Sequence, residues 1–192
     1  MQYTLKIDGT NRRTLVESLK DQNFHLGAEV GVRSGWYAKY ILDNTDMKLI
    51  AIDPWEPNAE LLHADQAFIE CMHKLSPYGD RVEMVKAYSP AITSTYEDGS
   101  FDFVYIDALH DYDSVKKDIV AWWSKIRSGG ILAGHDFSPS QWPGVVHAVY
   151  EFSIENKIKY YLTGVVGNAK ESHTGDFDEY DGDVQSWFFI KQ

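Results

Sequence analysis

Seven short β-rich runs, the first five separated by helical segments, constrain this chain more than any other feature. In order they are "HLGAEVGV", "MKLIAID", "RVEMVKA", "FDFVYID", "GGILAGHD", "KIKYYLT" and "SWFFIK". The segments between the first five carry apolar residues at helical spacing, as in Val115, Ile119, Trp122, Trp123 and Ile126. Strand, helix and strand in succession make right-handed crossovers, and a series of them builds a mainly parallel sheet with helices on both faces. The expected fold is therefore α/β and doubly wound, with seven strands. Only the polar stretch "GVVGNAKESHTGDFDEYDGDVQ" joins the last two runs, so the final strand is expected to return antiparallel. A further helix is expected ahead of the sheet, across "TNRRTLVESLKDQ".

No repeat, low-complexity tract or linker splits the 192 residues. One domain is expected over 1–192, with an N-terminal helical segment (1–23) and a core (24–192). Hydrophobic residues make up 44% and charged residues 24%, and no apolar stretch is long enough to cross a bilayer. The start, "MQYTLKIDGTNRR", lacks the pattern of a secretory signal, so a cytoplasmic protein with no membrane partner is expected. With 18 Lys plus Arg against 29 Asp plus Glu, the net charge of −11 repels phosphate backbones and speaks against nucleic acid. Cys71 in "AFIECMHKL" reads as a small buried residue.

In doubly wound sheets the ligand sits beyond the carboxyl ends of the strands, where the strand order reverses. The first strand ends in "AEVGVRSG": Glu29 and Gly31 close the strand and Gly35 opens a helix. The glycines allow a tight turn and a close approach, but the G-x-G-x-x-G pattern that grips a pyrophosphate is absent. An acid two residues before the glycine suits a cationic ligand group. The second strand ends in Asp53, 24 residues beyond Glu29, where an acid can accept hydrogen bonds from ribose hydroxyls. A nucleoside without a pyrophosphate fits both ends.

These residues resemble the class I S-adenosylmethionine-dependent methyltransferases, whose fold is Rossmann-like and whose first motif is E-x-G-x-x-x-G. The resemblance runs from about Phe24 to the closing "SWFFIK". It implies that Glu29 addresses the methionine amino group, that Gly31 and Gly35 line the cofactor turn, and that Asp53 holds the ribose. Ala87 and Tyr88, after the third strand, become the adenine neighbours, while Ser89 before Pro90 reads as a helix N-cap. The fourth and fifth ends, "FVYIDALHDY" and "GGILAGHDF", resemble the metal-dependent O-methyltransferases of the catechol and macrolide-sugar types. By position that resemblance implies Asp107, His135 and Asp136 as metal ligands, with Asp107 also near the cofactor, and His110 as the base. An acid is usual where His135 stands, so either manganese or another transition metal competes with magnesium, or His135 lies outside the set of ligands.

A cation on a hydroxyl oxygen lowers its pKa while a neighbouring base takes the proton, which is the chemistry such a group of residues serves. The expected activity is methyl transfer to a hydroxyl of a small-molecule acceptor, a sugar or a phenol. Alternatives are a metal-independent transferase relying on His110, a non-haem iron oxygenase built on two histidines and a carboxylate, and a cofactor-binding module without chemistry. Asp111 and Asp113 read as the start of the next helix, His63, His73 and His147 as ordinary helical residues, and the acids of "GDFDEYDGDV" as a solvated loop. Trp55, Tyr112, Trp142 and the loop from Gly164 to Gln185 are candidate walls of the site.

Overall fold

A computed structural model describes residues 12–57, 62–163 and 184–192. The loop expected to wall the site, with its acids of "GDFDEYDGDV", falls almost wholly outside these residues. The elements follow the anticipated order: α1 (Arg12–Leu19), β1 (Leu26–Val30), α2 (Trp36–Asn44), β2 (Lys48–Asp53), α3 (Ala64–Leu75), β3 (Val82–Lys86), α4 (Ser89–Ile92), β4 (Phe101–Ile106), α5 (Tyr112–Trp123), β5 (Ile126–Phe137), α6 (Pro143–Asn156), β6 (Tyr160–Leu162) and β7 (Gln185–Ile190). The sheet order is β3-β2-β1-β4-β5-β7-β6. The first five strands pair in parallel, and β7 runs antiparallel between β5 and β6. Strand order therefore reverses between β1 and β4, which places a crevice at their carboxyl ends.

Each face of the sheet carries its own core. On one face Leu49, Ala51, Phe103, Tyr105, Ile131 and Ala133 pack under α1, α2 and α3. On the other, Ala28, Val30, Ile50, Val104, Ile106 and Leu132 pack under α5 and α6. The period-two alternation along β4 decides the sides: Phe103 and Tyr105 face one core, Val104 and Ile106 the other. Of the paired tryptophans in α5, Trp122 is buried and Trp123 only partly so, as neighbouring helix positions require. Among the described residues no helix is long and apolar enough to cross a membrane.

The join between β5 and β7 shapes the site. Register shifts between Gly134 and Phe137, so β5 bulges at His135 and Asp136. Asp136 adopts φ +60, a left-handed conformation that aspartate tolerates better than most residues. Trp187 of β7 packs on Gly134 and donates its indole N–H to the His135 carbonyl (3.0 Å), which anchors the bulge. A Cβ at Gly134 would lie 2.4 Å from Trp187 Cζ2 and 2.6 Å from the Ile106 carbonyl oxygen. Gly134→Ala is accordingly expected to cost roughly 2 kcal/mol or more of folding stability, measured by urea denaturation, whereas unchanged stability would contradict this packing.

Candidate active site

The ends of β1 and β4 meet more closely than side chains allow. Gly31 has φ +90, and a Cβ there would stand 2.0 Å from the Asp107 carbonyl oxygen. Asp107 N–H in turn donates to the Val30 carbonyl (2.8 Å), locking the two ends together. Gly35 has φ +80, and its missing side chain leaves room for Cys71 Sγ, 3.0 Å from where a Cβ would be. At both positions the demand for glycine thus comes from the protein's own packing.

Glu29, the penultimate residue of β1, is buried, and its Oε2 has no hydrogen-bond partner among the described residues. Burial, aided by the nearby charge of Asp107, raises its carboxyl well above the usual range, and Arg12 opposes that rise. Asp53 is tied at both oxygens: Oδ2 accepts from Arg33 N–H (2.9 Å) and Oδ1 from Trp55 N–H (2.6 Å). Burial raises its pKa and these two bonds lower it, with a net rise. Both donors sit at positive φ, Arg33 at 50° and Trp55 at 42°, so Asp53 organises the turns after β1 and β2. One lone pair remains on each oxygen for a ligand hydroxyl.

At the ends of β4 and β5 the polar residues converge. Asp107, His110 and Asp136 each offer a ligand atom, all within 4.8 Å of one another. His110 Nε2 lies 2.7 Å from Asp136 Oδ2, and its ring stacks on Trp142 at 4.0 Å between centroids. His135 joins through Nδ1, 3.2 Å from Asp136 Oδ1 and 3.9 Å from Asp107 Oδ1, while its buried Nε2 has no partner among the described residues. Burial works against ionisation of Asp136, yet the contacts from His110 and His135 outweigh it and hold the carboxyl well below the ordinary range. The bulge in β5 lets two consecutive residues share one site, which a regular strand would place on opposite faces.

Two expected positions, Trp55 and Ser89, take other roles. Trp55 is not a wall: it is buried against Phe68 and donates its indole N–H to the Arg33 carbonyl (2.8 Å). Ser89 is not an N-cap, because α4 begins at Ser89 itself. Its hydroxyl donates to Asp118 Oδ1 (2.6 Å) and accepts from the Trp122 indole (2.8 Å). A buried acid one helix away offers that hydroxyl a stronger acceptor than any the short helix presents. Ala87 N–H donates to the Asp53 carbonyl (3.2 Å), and the exposed Tyr88 donates to Glu56 (2.6 Å). Asp111 caps α5 through Ser114 N–H (3.0 Å), with Asp113 in its first turn. Tyr112 is partly exposed and hydrogen-bonds Glu151.

Two participants escaped the sequence reading. Arg12 reaches from α1 to Asp107, with Nη1 2.7 Å from Oδ2. Gly144, in the first turn of α6, presses on the His110 loop so closely that a Cβ would stand 2.6 Å from the His110 carbonyl oxygen. Arg12 lies far outside the strand-end motifs. The "WPG" that opens α6, with Trp142 as N-cap and Pro143 at the first helical position, was a visible signal for a tight helix start.

Residues 24–137, more than half of the chain, match the family model described as "Methyltransferase domain". The chain belongs to this family. It is a class I, S-adenosylmethionine-dependent methyltransferase, and the glycine turn with its two acids finds its place in that fold rather than in an oxygenase. No curated protein matches the methyltransferase in sequence. Among solved structures it is similar to an O-methyltransferase from Bacillus cereus in complex with SAH (TM-score 0.66, 14% identity, 93% of this chain and 80% of that one). It is also similar to the O-methyltransferase TomG of Streptomyces achromogenes, involved in tomaymycin synthesis and solved with SAM (0.65, 15%, 94% and 79%). A precorrin-6y C5,15-methyltransferase from Geobacter metallireducens shares the fold as well (0.63, 17%, 94% and 86%).

The buried triad of Ser89, Asp118 and Trp122 beneath the methyltransferase's third strand end carries a pH signature. Burial pushes the Asp118 carboxyl up to about 6, against a smaller opposing effect of Ser89. An acid whose folded pKa is raised favours the folded state below its unfolded value, and that advantage is lost as pH climbs through the folded pKa. Wild-type stability should therefore fall between about pH 4 and pH 6 through this group, by up to about 3 kcal/mol. Asp118→Asn should remove that decline in denaturation curves recorded across the range; an identical pH profile in the variant would contradict the assignment.

Proposed function

We propose that this methyltransferase moves the methyl group to a hydroxyl oxygen of a small molecule, a sugar or a phenol, with a divalent cation held between Asp107 and Asp136. The observation that carries this reading is the convergence of Asp107, His110 and Asp136 within 4.8 Å at the ends of β4 and β5. Two carboxylates and an imidazole are donors that manganese accepts readily and magnesium less so, because magnesium prefers oxygen. Two fold neighbours being O-methyltransferases supports the choice of oxygen as acceptor.

The chain's own residues divide the work. Glu29, with a buried oxygen that has no partner among the described residues, suits the ammonium of the cofactor's methionine moiety. Asp53 offers its remaining lone pairs to the ribose hydroxyls, and Ala87 and Tyr88 flank the place of the adenine. The cofactor supplies a methyl group on a sulfonium, and a cation at Asp107 and Asp136 would make an acceptor hydroxyl more acidic. His110 takes the proton, held by Asp136 and by the face of Trp142 so that its ring cannot turn freely. Transfer to the acceptor oxygen would break the S–CH3 bond, its electron pair staying on sulfur, while the proton lost by the hydroxyl passes to His110. The partly exposed Tyr112 and Trp142 stand where an acceptor's rim would lie.

The same geometry favours a second assignment for His110, as third metal ligand with Asp107 and Asp136. With catechols and sugars as acceptors and release of S-adenosylhomocysteine as the readout, exhaustive chelation should reduce turnover roughly 100-fold, and manganese should restore it. Undiminished turnover after chelation would overturn the metal and leave transfer to His110 alone. His110→Ala should lower kcat by about 100-fold or more while S-adenosylhomocysteine still binds. Manganese affinity then separates the two roles: it persists if His110 is the base and drops with kcat if His110 is a ligand.

A further inference from the structure

Arg12 reaches from α1 to the end of β4. Its Nη1 is 2.7 Å from Asp107 Oδ2, with both side chains mostly shielded from solvent, at 14% and 20% exposure. Its guanidinium lies over the Tyr37 ring, 5.0 Å from the centroid, and Tyr37 donates its hydroxyl to the Arg12 carbonyl (3.0 Å). It also acts electrostatically on Glu29, opposing the effect of burial there. One guanidinium thus serves both the acid that meets the cofactor's ammonium and the acid that meets a metal. It holds Asp107 by a charge-assisted bond that a divalent cation would have to displace or share.

The head group of an amino acid presents an ammonium and a carboxylate on one carbon. Glu29 complements the first, and an arginine fork is the side chain best matched to the second. We propose that Arg12 exchanges Asp107 for the amino-acid carboxylate of the cofactor, so that cofactor binding releases Asp107 to the divalent cation. The inference rests on the metal-assisted reading above. It makes the two ligands cooperative: each binds more tightly when the other is present, by the same factor. With neither bound, Arg12 neutralises Asp107 in a site that already gathers Glu29, Asp53 and Asp136.

The test is manganese binding to the full chain, followed by electron paramagnetic resonance, alone, with S-adenosylhomocysteine and with 5′-methylthioadenosine, which lacks the amino-acid group. In the wild type S-adenosylhomocysteine should tighten manganese binding at least about fivefold, and 5′-methylthioadenosine should not. Arg12→Met should bind manganese tightly without either nucleoside and gain nothing from S-adenosylhomocysteine. Calorimetry should show the variant losing about fivefold or more in affinity for S-adenosylhomocysteine while keeping its affinity for 5′-methylthioadenosine, which also reports an intact fold. The exchange is overturned if S-adenosylhomocysteine leaves wild-type manganese affinity unchanged, or if Arg12→Met keeps the full coupling. If S-adenosylhomocysteine binds but manganese never does, the metal reading falls and takes the exchange with it, a result distinct from metal binding without coupling.

Discussion

Everything at the mouth of this sheet depends on how closely β1 and β4 end beside each other. The main chain at Gly31 touches that of Asp107 so tightly that any side chain would overlap its carbonyl oxygen. That contact sets Glu29 close enough to Asp107 for the aspartate's charge to help burial raise the Glu29 carboxyl. It also sets the end of β1 directly beside the residues contributed by β4 and β5. A methyl donor and an acceptor must be aligned for in-line transfer, and alignment is the principal service a protein offers such a reaction. Rigid strand ends, with a glycine where two backbones meet, provide it better than loops would.

Electrostatics is the second organising element. Four acids, Glu29, Asp53, Asp107 and Asp136, gather at the strand ends, and three of them are buried. Each is kept differently: Asp53 by two backbone N–H groups, Asp136 by two histidines, Asp107 by Arg12, and Glu29 by a rise in its own pKa. An array of this kind is suited to cations, and a sulfonium cofactor carrying an ammonium is one. The divalent ion proposed here would add charge of the same sign, which is why the position of Arg12 matters to its binding.

The fold was legible because its signal is periodic. Runs of apolar residues at β4 and β5 and helical spacing in α5 point to the same layered sheet, and the missing helix before "SWFFIK" was enough to foresee an antiparallel last strand. The acids at strand ends were legible for the same reason, since position along a strand determines what reaches the crevice. Contacts across the sequence were not. Nothing in "GHD" announces a bulge stabilised by Trp187, a residue 52 positions away from the carbonyl it binds. Nor does "TNRRT" reveal that Arg12 crosses 95 positions to Asp107. Trp55 and Ser89 were misread because a local pattern, an aromatic near a site or a serine before proline, yielded to tertiary partners in Phe68, Asp118 and Trp122.

The central claim is that the ends of β4 and β5 hold a divalent cation beside the cofactor. Crystals grown with S-adenosylhomocysteine and manganese, with diffraction recorded at the manganese absorption edge, test it most directly. The account predicts an anomalous peak within about 2.5 Å of carboxylate oxygens of both Asp107 and Asp136, with the nucleoside in the crevice between β1 and β4. Well-defined S-adenosylhomocysteine with no anomalous peak at those two residues would contradict it.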